Sequence, residues 1–223
     1  MVICASSGLN QQDVTSVSTK LAYSYLLSTA HVTPHCVAKF FPQFGPLYWS
    51  CTWRQLFFFN LDRHVIDLAW KVAHSVLYTA SRLVSFGYLV PLVCFSSPFR
   101  ETLVHLFFDC PLAQSTLSWP QSLMFRLSCL APSRRHVLFG FNSHELRTVP
   151  CVFCCVLNVV KYCLWLSRND FLFHGIRPGA VTALESVRVC VLFSFQSCSS
   201  ILARPITVAF LSVSGMLAML LRR

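Results

Sequence analysis

Cys94, His105 and Cys110 are the residues whose types and spacing point most directly to chemistry in this chain of 223 residues. Thiolate and imidazole are usual donors to zinc. A zinc knuckle needs an early pair of ligands on a turn, then a His and a Cys about one helical turn apart. Eight residues separate Ser96 from His105, and four separate His105 from Cys110. The later pair works if a helix carrying His105 ends near Asp109, letting Cys110 swing back. The early pair is incomplete, because Ser96 stands where the second cysteine should be. A serine hydroxyl is neutral and poorly basic, so such a set binds zinc weakly or keeps an open site. The same spacing also fits three residues that merely pack, and spacing alone leaves both readings standing.

Other chemistry is sparse. The carboxylates Asp13, Asp62, Asp67, Asp109, Asp170, Glu101, Glu145 and Glu185 are scattered, with no adjacent pair to hold two metals. There is no Gly-rich phosphate loop and no GxSxG elbow. Asp67 and His74 with Ser75 or Cys94 make a triple that any chain this long offers by chance. No catalytic residue is assigned, and an autonomous enzyme is not expected.

Composition sets the background. The chain is 55% hydrophobic and 12% charged, with a mean hydropathy of +0.58, which excludes an intrinsically disordered chain. Eighteen Lys and Arg against eight Asp and Glu leave a net charge of +10, a non-specific attraction for phosphate backbones or anionic membranes. Arg134, Arg135 and His136 form the densest basic run, with Arg126 nearby. Twelve cysteines are too few for a disulfide-stapled domain of this length, and the N-terminus lacks a basic, apolar secretory leader. The expectation is an intracellular protein, cytoplasmic or nuclear, with most cysteines acting as small buried hydrophobes. Cys151 and Cys154 form a CxxC without a turn or a second pair, and read as core.

Several helices must position these groups. Apolar periodicity predicts helices over Ser16–Ala30, Tyr48–Phe59, Val65–Leu77, Ala80–Phe86 and Glu101–Phe108. It predicts others over Leu112–Leu127, Glu145–Arg168 and Val181–Ala203. Trp119 and Pro120 interrupt one of them awkwardly, and Pro150 breaks another near its first turn. Tyr88–Phe99, with two prolines, reads as extended or looped, and Ala131–Arg135 as a linker. Pro205–Leu221 is a run of seventeen uncharged residues between Arg204 and Arg222, the lower bound for a spanning helix.

Five stretches together resemble one family. Glu101-Thr-Leu-Val-His105-Leu-Phe-Phe-Asp-Cys110-Pro-Leu-Ala113 is similar to the ETxxHLFFxCPLA motif of the zinc-binding region downstream of the polymerase in non-LTR retrotransposon reverse transcriptases. Ser16–Tyr23 resembles that family's FSVKSAY segment, and Trp49 and Trp53 its paired tryptophans. Asp67–Leu83 resembles its W-K-x-x-H-x-x-L-x-T helix pair, and Trp165–Phe173 its W-x-x-R-N helix. The likeness runs in family order over about residues 15 to 175. It implies that Cys94, the residue at position 96, His105 and Cys110 are the zinc ligands of a CCHC knuckle. It also implies a grip on template RNA or target DNA, and partnership with other parts of a retroelement polyprotein. The polymerase and endonuclease residues are absent, so those activities do not carry over.

The expected fold is mainly α, an irregular cluster of helices around a small zinc-knuckle-like loop. Residues 1–15 are expected to be disordered, 16–130 to form a helical region with the degenerate motif, 131–203 a helical extension, and 204–223 an apolar tail. The expected function is non-catalytic RNA or DNA binding, with Arg100, Arg126, Arg134 and Arg135 touching phosphate. Two alternatives stand beside it: a membrane-associated protein held by residues 205–221, and a translated relic without function.

Overall fold

The computed structural model describes residues 44–57, 61–150 and 152–199. The expected N-terminal disorder, the helix over Ser16–Ala30 and the apolar tail lie outside these residues. All described residues belong to one compact unit of the chain, residues 35–223. It is mainly helical, as expected, and among the described residues the sole β pairing is one antiparallel bridge, Val93 to Arg100.

The helices in chain order are α1 (Pro46–Phe57), α2 (Arg63–Ala73), α3 (Ala80–Ser85), α4 (Pro111–Ser128), α5 (Arg134–Phe139), α6 (Val152–His174) and α7 (Ala180–Ser199). A π-helical turn, His105–Asp109, precedes α4, and a 3-10 turn, Glu145–Arg147, precedes α6. Local chemistry explains most boundaries. Asp62 caps α2 by accepting from the His64 amide at 2.7 Å. That helix stops at Ala73, short of the expected Leu77, because Ser75 turns left-handed at φ 56°. Ser133 opens α5, where its amide donates to His136 Nδ1 at 2.9 Å. The expected linker therefore ends inside a helix. Its last two residues, Arg134 and Arg135, form the first turn of α5.

Pro120 does not interrupt α4, which runs unbroken from Pro111 to Ser128. Its ring is buried in the interior, and burial of Leu117, Leu123 and Met124 on the same helix offsets the hydrogen bond that proline removes.

Helix α6 is the centre. It touches α2, α4, α5, α7 and the π turn. Its buried face carries Phe153, Val156, Leu157, Val160 and Leu164, a nearly continuous apolar run from Val152 to Leu164. One cluster joins these residues to Trp49, Val72, Phe107, Leu117, Val137 and Val187, so residues before and after 131 share one core. A polar clasp holds α1 to the segment after α5. Gln55 accepts from the Phe141 amide at 2.9 Å and donates to its carbonyl at 2.5 Å. Gly140 sits at φ 82°, and a Cβ there would come within 2.5 Å of Gln55 Oε1, so this close approach needs glycine.

Candidate metal centre

The ligand candidates come from two adjacent pieces of backbone. The first is a short hairpin around the Val93–Arg100 bridge, closed by the Cys94 amide donating to the Phe99 carbonyl at 2.8 Å and Glu101 donating to Leu92 at 2.7 Å. The second is the π turn. Its wide loop closes when the Cys110 amide donates to the His105 carbonyl at 2.8 Å, after which Cys110 adopts an extended backbone at ψ 138°. The expected swing of Cys110 is thus present, made by a π turn instead of the end of an α-helix. Pro111 then starts α4, where its missing N–H costs nothing.

These two pieces bring Cys94, His105 and Cys110 together. All three are buried, and one donor atom from each lies within 4.8 Å of the others. The sulfurs of Cys94 and Cys110 are 3.8 Å apart. Two thiolates bound at about 2.3 Å on a tetrahedral ion lie about 3.8 Å from each other, so the pair already spans a ligand edge. The group can hold a metal ion. Burial also argues against a nucleophile, since a reactive cysteine needs access.

Electrostatics favour one ready thiolate. The hydrogen bond between the Cys94 and Cys110 sulfurs pulls the Cys94 thiol well below its usual range against the opposing push of burial, with Ser96 and His105 adding further hydrogen bonds. The same bond to Cys94, reinforced by burial, pushes the Cys110 thiol up. A cation bound between the two sulfurs would take the place of the proton in that bond.

Two serines complete the surroundings. Ser96 Oγ lies 2.7 Å from the Cys110 sulfur and 3.5 Å from that of Cys94, and its residue is exposed. Ser97 Oγ lies 2.9 Å from His105 Nε2. Ser97 was not expected at the site, since a serine in a loop carries no signal of its own.

Beneath the hairpin sits an ion pair joining two residues from motifs 67 positions apart. Arg168 of α6 donates to both oxygens of Glu101, at 3.0 and 3.3 Å, and to the Tyr78 carbonyl at 3.3 Å. The amide of Ala80 donates to Glu101 as well, at 2.8 Å. Both side chains are almost wholly buried, at 5% and 3% exposure, and this clasp anchors the Cys94 hairpin to α6. Spacing gave no sign of the pairing, although both residues lie in the motifs that carry the family likeness.

The four arginines expected at phosphate sit on separate elements. Arg100 is in the hairpin and donates to Ser81 Oγ at 3.2 Å. Arg126 is exposed near the end of α4. Arg134 pairs with Asp109 at 2.9 Å, and Arg135 pairs with Glu145 while lying over the Tyr48 ring. The last two thus already face carboxylates, which spend part of the charge expected for a phosphate backbone. No described helix is long and apolar enough to cross a membrane, and residues 205–221 lie outside the described part. Comparison with protein-family models, with curated proteins and with solved structures finds no match to this chain.

Proposed function

We propose that the chain is a non-catalytic nucleic-acid-binding module, built around a degenerate zinc knuckle of the kind that follows the polymerase in retroelement reverse transcriptases. One observation carries this reading: a hairpin and a π turn bring Cys94, His105 and Cys110 to within 4.8 Å of one another, buried, with sulfurs spaced for a tetrahedral ion. Two sulfurs and an imidazole are donors of borderline softness, which selects zinc over magnesium or calcium. The metal would brace the hairpin against the start of α4. Bound there, zinc would supply a structural cross-link between the two pieces of backbone. The net charge of +10 and the exposed Arg100 and Arg126 support sequence-tolerant contact with RNA or DNA phosphate.

Two measurements test the reading. Elemental analysis of purified protein is expected to find one zinc per chain, falling on Cys110→Ala. A mobility-shift titration is expected to retain single-stranded RNA and DNA at low salt with little sequence preference, and to release both as salt rises. Absence of retention at low salt would remove the nucleic-acid part, and zinc content unaffected by Cys110→Ala would remove the knuckle.

A further inference from the structure

Ser96 does not complete the ligand set. Its oxygen lies 3.5 Å from the Cys94 sulfur, an ordinary ligand edge, but only 2.7 Å from the Cys110 sulfur, whereas oxygen and sulfur ligands on one tetrahedral ion lie about 3.5 Å apart. The hydroxyl therefore sits too close to the Cys110 sulfur, displaced from the vertex that a fourth ligand would take. Cys94, His105 and Cys110 are buried while Ser96 is exposed, so the fourth vertex is the one that faces water. A neutral hydroxyl is also a poor donor beside two sulfurs. Structural zinc sites close with four protein ligands, and a site that stops at three keeps a position for an outside molecule.

We propose that the metal centre at Cys94, His105 and Cys110 is coordinatively open at the Ser96 corner and takes a low-molecular-weight thiol as its fourth ligand. This inference rests on the metal-binding reading above. Two thiolates and a neutral imidazole leave a divalent ion with no net charge, and a chain of net charge +10 favours an anionic addition. Sulfur matches the softness of the two ligands already present. On binding, the S–H bond of the thiol breaks heterolytically, its proton passes to solvent, and its sulfur donates an electron pair to the metal. Nothing is oxidised or reduced. The site would then respond to the thiol level around it.

Cobalt(II) spectroscopy of the full chain tests this, since sulfur-to-cobalt charge-transfer absorbance counts bound thiolates. The wild type loaded with cobalt is expected to gain about one half in that absorbance on addition of 2-mercaptoethanol, passing from two sulfurs to three. Ser96→Cys is expected to show the three-sulfur spectrum from the start and to ignore the added thiol, and Cys110→Ala to lose the wild-type signal. A wild-type spectrum that stays unchanged with cobalt bound overturns the open corner and leaves the metal-binding reading intact. A thiol response that persists in Ser96→Cys also overturns it, because the added sulfur then binds elsewhere. Failure of the wild type to take up cobalt overturns both.

Discussion

The hairpin around Cys94 and the helix α6 are stabilised by opposite means. Among residues 92–100, Cys94 is the single buried one, and the hairpin is held by a few backbone hydrogen bonds, the thiol–imidazole cluster and the Glu101–Arg168 clasp. Helix α6 buries thirteen residues and depends on apolar contact with four other helices. A hairpin of this size cannot bury enough surface to fix itself, so it needs polar or metal staples. Helix α6 needs none, yet it carries buried Lys161, Asn158 and Arg168. Polar groups therefore hold the first region together and are tolerated or put to use in the second.

The clasp between the regions should show the largest effect. Glu101→Ala strands the Arg168 guanidinium at 5% exposure, and is expected to cost about 3–5 kcal/mol in urea unfolding. The double replacement Glu101→Leu with Arg168→Met is expected to recover much of that loss, because a buried pair removed whole leaves no stranded charge. A single-variant loss below about 1 kcal/mol would mean that the hairpin does not depend on α6.

Lys161 tests the tolerant side. Its residue is 2% exposed, its hydrogen-bond partner among the described residues is the Leu138 carbonyl at 3.5 Å, and burial lowers its ammonium pKa to about 7. The unfolded chain holds that proton up to about pH 10.5, so between about pH 7 and 10.5 unfolding takes up a proton and stability rises with pH. Below pH 7 both states are charged and the penalty is fully present. At about 1.4 kcal/mol per pH unit its upper bound is about 5 kcal/mol. Lys161→Met is expected to stabilise by about 3 kcal/mol at pH 7, with the gain fading towards pH 10.5. A gain of the same size at both ends of this range would show that the lysine is not buried as a charge.

Metal removal should act on one region alone. Chelation is expected to speed hydrogen exchange about tenfold or more at the Cys94 and Glu101 amides, with the α6 amides unchanged. Equal acceleration in both would make them one cooperative unit. The smallest effect belongs to Arg134→Ala. Its side chain is 65% exposed in the pair with Asp109, so the expected change in thermal unfolding is below about 0.5 kcal/mol.

Helices with a regular apolar stripe were legible in the sequence, because burial of one face needs only local periodicity. Ser75 and Pro120 mark where local signals misled. One ended α2 early through a left-handed turn, and the other was carried inside α4 by contacts that span the chain. The candidate ligands were legible too, through residue type and spacing. The swing of Cys110 back to the site was legible as well, but its cause was not, since it is made by a π turn whose one extra residue re-aims the cysteine.

The amino-acid sequence by itself determined the helical class, the basic balance and the three metal-ligand candidates, all of which follow from composition and short-range pattern. Tertiary structure alone decided that Glu101 meets Arg168, that Lys161 is enclosed, and that Ser96 lies against a sulfur with its face to water. Each of those depends on groups brought together from distant elements or on the exact aim of a side chain. Neither is encoded in residue spacing.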